Sequence, residues 1–95
     1  AMSQAARALV YSVARDVRPD NRARVDCDAA KLFCSGVGKT VADYAMQVMG
    51  GSGYCREYPV ERLWRDAKLL EIGGGTIESH QKNITKDLAK MFPID

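Results

Sequence analysis

The sequence predicts an all-α fold, an antiparallel bundle of about four helices. In four segments of the chain, apolar residues recur at three- and four-residue steps, which is the period of an amphipathic helix. Stretches of glycine, proline and polar residues separate these segments, and connections of about 5 to 9 residues suit antiparallel neighbours. No segment alternates apolar and polar residues as a half-buried strand does, so we expect no strand.

The first two helices are expected between recognisable start and stop signals. Ser3 is a residue type that favours the N-cap, and Pro19 cannot continue a helix. The apolar face of this first helix comprises Ala6, Leu9, Val10, Val13 and Val17. Asp26 or Asp28 can cap the second helix, and Gly50 is expected to end it. Its apolar stripe comprises Ala29, Leu32, Phe33, Val37, Val41, Tyr44, Ala45 and Val48.

Two further helices are expected in the second half of the chain. The stretch "GGSGYCREY", residues 50–58, indicates a loop, and Pro59 fits the first turn of a third helix. The apolar stripe of that helix comprises Val60, Leu63, Trp64, Ala67 and Leu70, and three glycines at 73–75 follow it. Thr76 can cap a fourth helix, and Pro93 lies beyond its end. The inward residues of that helix are Ile77, Ile84, Leu88 and Met91.

Size and charge limit the class of protein. The chain has 95 residues, so it forms one domain or part of one. Apolar residues make up 46% and charged residues 27%, as in a globular protein. The net charge is only +2, with basic and acidic residues interspersed, so we expect no nucleic-acid partner. No apolar run approaches the roughly 20 residues that span a bilayer, so we expect no membrane partner.

The cysteines and the first residues predict a cytoplasmic location. Cys27, Cys34 and Cys55 are odd in number and lack metal-ligand spacing, which favours reduced thiols; the first two are expected to be buried. The start lacks the basic and apolar regions of a signal peptide. Ala1 before Met2 is typical of a residue left by an expression tag. His80 is the single histidine, and we expect a surface or hydrogen-bonded side chain rather than a metal ligand.

Two glycine-containing patterns raise the question of a phosphate site. "GVGKT", residues 36–40, is similar to the end of a P-loop, but Phe33 stands where the motif needs glycine and the segment falls within a helical stripe. Small residues at a close helix contact are the preferred interpretation. "GGGTIES", residues 73–79, leads into a helix N-terminus, which favours an anion or a polar ligand edge. From physics alone, a plain connection is favoured over a ligand site.

Three linked motifs resemble the C-terminal helical domain of the acyl-CoA dehydrogenases. They are the Gln-x-x-Gly-Gly-x-Gly-Tyr segment at 47–54, the Pro-x-x-Arg-x-x-Arg-Asp helix at 59–66, and the Gly-Thr pair at 75–76. Their order and spacing agree with the family, and the two helices before them are also similar. The resemblance implies that residues 1–95 are a partial C-terminal helical-bundle domain that lacks the domain's first helix.

The resemblance implies FAD as the cofactor and assigns it two sets of residues. Gln47, Gly50 and Gly51 match the loop that approaches the pyrophosphate and ADP part of an FAD bound in a neighbouring subunit. The second set matches the segment over the flavin of the same subunit and comprises Gly75, Thr76 and Glu78. We expect no metal. A side chain would block close approach of the backbone to a ligand, so glycine at positions 50 and 51 agrees with this assignment.

No catalytic residue is expected within the chain. Many family members carry the catalytic glutamate just before the Gly-Thr pair, where this sequence has Gly74, and glycine cannot act as a base. Other branches supply the glutamate from an earlier helix, which would precede Ser3. Glu71 is about one turn back from this position, and we do not propose it as the base. The isolated chain is therefore expected to be inactive.

The resemblance implies a function for the parent protein. It would dehydrogenate an acyl-CoA thioester at the α and β carbons, in fatty acid metabolism, and pass electrons to an electron-transfer flavoprotein. The alternatives are a non-catalytic helical oligomerisation module without flavin and a small helical adaptor. The wide apolar stripes on a chain of this size predict a homodimer or homotetramer.

Overall fold

The computed structural model describes residues 1–93, and this part of the chain is all-α as predicted. It forms five helices: α1 (Met2–Asp16), α2 (Arg24–Met49), α3 (Gly51–Tyr54), α4 (Val60–Leu70) and α5 (Ile77–Met91). The four long helices are the four expected from the apolar periodicity. Residues 51–54 were predicted to be loop, and their helical turn is the one element that the periodicity did not indicate.

α2 is the central helix of the fold. α1, α3, α4 and α5 each pack against it, while α1, α4 and α5 make no direct contact with one another. The chain is accordingly elongated, with extents of 56 × 25 × 21 Å. α4 follows the C-terminal half of α2, where Trp64 Nε1 donates to Asp43 Oδ1 at 3.1 Å and the Lys39 ammonium lies 3.3 Å from the centre of the Trp64 ring.

α5 follows the N-terminal half of α2 in the antiparallel direction. Asp28 of α2 lies beside His80 near the start of α5, and Arg24, one turn earlier in α2, lies 3.6 Å from Asp87. α4 and α5 therefore lie one after the other along α2, and the three glycines at 73–75 join them near the middle of the molecule. This arrangement places the glycine connection over the first third of α2.

The predicted N-caps of α1 and α2 were wrong. α1 begins at Met2, one residue before Ser3, without a side-chain cap. α2 begins at Arg24 after Ala23, whose φ of 47° reverses the chain, and Asn21 Oδ1 accepts from the Ala23 N–H at 3.0 Å. Asp26 lies in the first turn and Asp28 within the helix, so neither is the cap. Asparagine commonly bonds to the backbone two residues on, and this local turn starts α2 earlier than the apolar stripe suggested.

The other helix ends follow their predicted signals. Gly50 ends α2 with a φ of 62°, and its N–H donates to Gln47 O at 3.1 Å. Pro59 is the residue before α4. Thr76 caps α5, because its Oγ1 accepts from the Ser79 N–H at 3.1 Å. The predicted capping of α5 is therefore confirmed.

The core of the described chain is thin. The buried hydrophobic residues are Val13, Val37, Val60 and Ala67. Several residues that were predicted to face inward are instead exposed, because no second helix covers them: Val10, Val17, Val48, Leu63 and Leu70. An apolar groove of about 600 Å³ runs along α2 between α1 and α4, lined in part by Ala6, Val37, Val41, Val60, Leu63 and Leu70. Among residues 1–93, no helix is long and apolar enough to cross a membrane.

Candidate functional site

The connection between α4 and α5 is short and tightly turned. α4 ends at Leu70, and the Gly73 N–H then donates to Leu69 O at 2.7 Å. The Ile77 N–H donates to Glu71 O at 3.2 Å and so closes the connection across its width. Between these bonds lie Gly74, with a φ of 71°, and Gly75, with a φ of 105°. Both values lie in the region that favours glycine, which gives two of the three glycines a structural reason.

His80 lies directly under Gly75. A Cβ atom built on Gly75 would be 2.8 Å from His80 Nε2, closer than Cβ atoms come to their non-bonded neighbours in proteins. A Cβ on Gly74 would instead meet only Lys31 Cε, at 3.9 Å, which is an ordinary contact. One side of the connection is therefore packed against the imidazole of His80, while the backbone at Gly74 is exposed on the other side.

The start of α5 presents unused backbone donors. Within residues 1–93, the N–H groups of Gly74, Gly75, Thr76 and Glu78 donate no hydrogen bond. Thr76 and Glu78 belong to the cap and first turn of α5, where N–H groups carry part of the positive end of the helix dipole and so favour an anion or an electron-rich ligand edge. Thr76 and Glu78 are both exposed. The connection therefore fits a ligand that approaches the backbone from outside the chain.

Two side chains of α2 hold the ends of this connection. His80 Nδ1 and Asp28 Oδ1 are 2.5 Å apart, and both side chains are largely covered, with 13% and 14% of their surfaces exposed. One turn further along α2, Lys31 Nζ donates to Leu70 O at the end of α4. His80 is thus a hydrogen-bonded residue, as expected, but it is half-buried beneath the candidate site rather than on the surface.

The second predicted segment lies where α2 ends. Gln47, Gly50 and Gly51 are all exposed, and side chains added at either glycine would meet open space within 4 Å. Gln47 and Gly50 share a small cavity of about 240 Å³ with Asp43, Met46 and Tyr54. Gly53 is different, because a Cβ there would lie 2.6 Å from Met46 O. Gly53 is therefore needed for packing, whereas Gly51 is not.

The structure does not bring the two predicted segments together. The glycine connection lies beside Asp28 near the start of α2, and Gln47 lies in its last turn. At about 1.5 Å per residue, the two positions are roughly 28 Å apart along the helix. The two predicted segments are therefore two separate surfaces of the chain.

The remaining sequence features are structural. "GVGKT", residues 36–40, lies inside α2, so the segment forms no phosphate-binding loop. Cys27 and Cys55 are exposed and Cys34 half-buried, so the expectation of buried thiols at 27 and 34 was wrong; all three are free. On the surface of α4, Glu61 and Arg65 form an ion pair at 2.8 Å. No cluster of three or more potential metal ligands occurs in the described part of the chain.

Asp28 and Lys31 are the site residues that the sequence alone did not reveal. Asp28 meets a partner 52 residues away and Lys31 one 39 residues away, and periodicity carries no information about such long-range contacts. The available signal was their spacing. Charged residues at i and i+3 lie on one face of a helix, so this spacing places Asp28 and Lys31 side by side on α2.

Comparison with known proteins adds a family to this geometry. Residues 1–89 match the family model described as acyl-CoA dehydrogenase, C-terminal domain. The mitochondrial isovaleryl-CoA dehydrogenase of Oryza sativa subsp. japonica is 47% identical over 87 residues, which are 92% of this chain and 21% of that protein. The short-chain-specific acyl-CoA dehydrogenase of Clostridium acetobutylicum is 44% identical over 75 residues, 79% of this chain and 20% of that protein.

The match extends along nearly all of the chain but not along the relatives. A cyclohexane-1-carbonyl-CoA dehydrogenase of Geobacter metallireducens is 37% identical over 87 residues, again 92% of this chain and 23% of that protein. The chain thus spans about a fifth of the length of the curated relatives that it matches. With the family model matching residues 1–89, the chain belongs to the acyl-CoA dehydrogenase family, as a C-terminal domain.

Proposed function

We propose that this chain forms part of an FAD-dependent acyl-CoA dehydrogenase, in which it supplies backbone contacts to the flavin and part of the subunit core. The observation that carries the proposal is the glycine connection at the start of α5. The N–H groups of Gly74, Gly75 and Thr76 donate no hydrogen bond within residues 1–93, and the backbone at Gly74 is exposed. Such a surface suits the electron-rich edge of a flavin ring. Family membership supplies the enzyme class of the relatives, which are named as acyl-CoA dehydrogenases.

The two segments would contact two different FAD molecules. Gly75, Thr76 and Glu78 would lie over the flavin of their own subunit. The second set, at the far end of α2, would reach the pyrophosphate and ADP part of the FAD of a neighbouring subunit: Gln47, Gly50 and Gly51. Bound flavin would accept the hydride in the α,β-dehydrogenation of an acyl-CoA thioester, and the electrons would leave to an electron-transfer flavoprotein.

The base for this reaction would come from outside the glycine connection. Gly74 has no side chain to take a proton. The nearest preceding carboxylate, Glu71, forms an ion pair with Lys68 at 3.2 Å and is half-buried within the turn. Neither residue supplies a free base, so residues 1–95 alone would not dehydrogenate an acyl-CoA.

A second function is favoured by the amount of uncovered apolar surface. The chain could act as a helical oligomerisation module without flavin, since the groove between α1 and α4 offers an apolar surface to a partner.

The location of the protein is also open to test. The names of plant relatives place those proteins in mitochondria, so the cytoplasmic location that the sequence predicts stays a prediction.

A matched pair of glycine variants separates cofactor binding from folding. Gly51→Val adds a side chain into open space, so we expect a nearly unchanged melting temperature but loss of most of the flavin from the FAD-loaded protein that contains this chain. Gly53→Ala instead forces Met46 O to move, and overpacking of this kind costs about 1–3 kcal/mol of stability. Flavin content per chain and thermal unfolding are measured together. Full flavin content in Gly51→Val would show that the segment is only a helix connection.

A further inference from the structure

We propose that Asp28 and Lys31, one turn apart on α2, are positioning residues that hold the two ends of the glycine connection and so aim its free N–H groups. The aim is toward the flavin, and in that respect the inference rests on the proposed function. Asp28 holds the start of α5 through His80, and Lys31 holds the end of α4 through the Leu70 carbonyl. The name "α2 clamp" is used below for Asp28, Lys31 and His80.

The first half of the α2 clamp fixes the imidazole under Gly75. An ionised carboxylate only accepts hydrogen bonds, so His80 Nδ1 carries the proton that bonds to Asp28 Oδ1 at 2.5 Å. His80 Nε2 then faces Gly75, and within residues 1–93 it is buried without a hydrogen-bond partner. The hydrogen bond at one ring nitrogen orients the whole imidazole. The bond from Nδ1 to Asp28 therefore fixes the orientation of the ring against which Gly75 packs.

The second half of the α2 clamp fixes the end of α4. The last carbonyls of a helix have no partner within it, and a cation there also interacts favourably with the dipole. Lys31 Nζ bonds to one of these carbonyls, at Leu70, and Lys31 Cε lies under the Cβ position of Gly74 at 3.9 Å. The lysine therefore supports the connection from α2.

These contacts matter because little else holds the connection. α4 and α5 do not contact each other, and glycine residues impose few conformational limits of their own. The bonds that remain are those of the connection's own backbone, such as Ile77 N–H to Glu71 O at 3.2 Å. The end of α4 and the start of α5 are thus both positioned relative to α2. The α2 clamp restrains the connection, which its glycines, having no side chains, cannot do.

The test removes each contact with little change in size. Asp28→Leu and Lys31→Met are compared with two controls at residues whose side chains form no hydrogen bond or ion pair within residues 1–93, Asp26→Leu and Lys86→Met. The reporter is hydrogen exchange of the Ile77 amide, measured on flavin-free protein. We expect each clamp variant to raise the exchange rate by about tenfold or more, since a hydrogen bond to a charged group is lost. The controls are expected to change it by less than about twofold.

Three further measurements distinguish positioning from a general loss of structure. His80 is the single histidine, so its ring resonances report the Asp28 bond directly, and Asp28→Leu should shift them while Asp26→Leu should not. Lys31→Arg retains a cationic donor and should restore slow Ile77 exchange. In FAD-loaded protein, both clamp variants should release flavin several times faster and alter its visible spectrum, because the N–H groups are no longer aimed.

The outcomes are separate for the inference and for the proposed function. Ile77 exchange that is unchanged in both clamp variants would overturn the inference, whatever Gly51→Val shows for flavin. Faster exchange with unchanged flavin release would overturn the aiming of the N–H groups at the flavin, and Gly51→Val would then tell whether the proposed function fails too. Faster Ile77 exchange in the control variants as well would also overturn the inference, since loss of charge alone would explain the effect.

Discussion

At position 75, both the backbone conformation and the packing require glycine. Its φ of 105° is one that residues with side chains rarely adopt, and the imidazole of His80 occupies the place of a Cβ atom. Gly74 meets only the first of these limits, with a φ of 71° and no close neighbour. The two adjacent glycines therefore allow the cost of backbone strain to be separated from the cost of a clash.

We expect Gly75→Ala to destabilise the fold more than Gly74→Ala does. A left-handed backbone costs an alanine about 1–2 kcal/mol, and both variants bear this cost. The clash with His80 adds about 1–3 kcal/mol in Gly75→Ala alone. Urea unfolding of the two variants measures the difference. Equal losses would mean that His80 moves aside freely and does not support the connection.

The residue scale also shows how far a sequence can predict a site. Thr76 and Gly50 were predicted correctly because a cap is a local signal, readable within four residues. The surroundings of His80 could not be predicted, because its partner Asp28 is distant in sequence and becomes a neighbour only when α5 lies on α2. A lone histidine without ligands at metal spacing gives no hint of such a pairing.

At the scale of the element, the Thr76 cap determines where α5 begins. We expect Thr76→Ala to destabilise the fold by about 1 kcal/mol, because the Ser79 N–H loses its acceptor. Thr85→Ala on the same helix is the control. Its hydroxyl bonds back to Gln81 O in mid-helix, where alanine has the higher helix propensity, so its loss should be neutral or stabilising. Denaturant unfolding compares them, and equal destabilisation would contradict the capping role.

Helix α4 carries a pH-dependent pair on its surface. The hydrogen bond from Arg65 holds the pKa of Glu61 below its ordinary value. Burial is the next largest effect and opposes this lowering, while the charges of Arg65, Arg56 and Arg62 add to it. A lowered pKa favours the ionised form in the folded state. The pair therefore stabilises the fold above the unfolded pKa of about 4.3, and this contribution is lost as pH falls through the lower folded value.

We expect Glu61→Gln to change how the melting temperature depends on pH in acid. Below about pH 4.3, the melting temperature should fall less steeply in Glu61→Gln than in the unaltered chain, because the variant has no carboxylate to protonate. Glu57→Gln is the control, since Glu57 forms no ion pair among the described residues. If Glu57→Gln reduced the fall in melting temperature at acid pH as much as Glu61→Gln does, the effect would come from net charge rather than from the ion pair with Arg65.

The elements themselves were predictable where periodicity is long, and less so where it is short. α2 and α5 have stripes of several turns, and both are present with ends within a few residues of those expected. α3 has only four residues, two of them glycine, which is too short for a helical period to be recognised. Val10 and Val17 lie on the predicted apolar stripe of α1 yet are exposed, because a stripe shows which face is apolar and not whether anything covers it.

At the scale of the whole molecule, the described fold has more surface than a compact protein of its mass. Its accessible area is 7200 Å², whereas a compact monomer of 10.5 kDa is expected to have about 5,400 Å². The excess is about 1,800 Å² on one chain, whereas a stable protein–protein interface buries roughly 800 Å² on each partner. Within residues 1–93, eighteen large hydrophobic residues are exposed, more than the core contains, so much of this surface is apolar.

This surface predicts that the chain associates, as a homodimer or homotetramer. The groove between α1 and α4 is the surface to test, because it is apolar along its length and Leu63 at its edge is 55% exposed. In sedimentation velocity at micromolar concentration, the unaltered chain should sediment as an oligomer. Leu63→Gln should shift it toward monomer, since about 25 cal/mol is lost for each Å² of apolar area that is no longer buried. Tyr11→Gln, at a residue 60% exposed on α1 and outside the groove, is the control and should leave the oligomer intact. Dissociation by both variants would point to unspecific contacts, and a clean monomer of the unaltered chain would contradict the prediction itself, because the excess surface would then be stable in water without a partner copy.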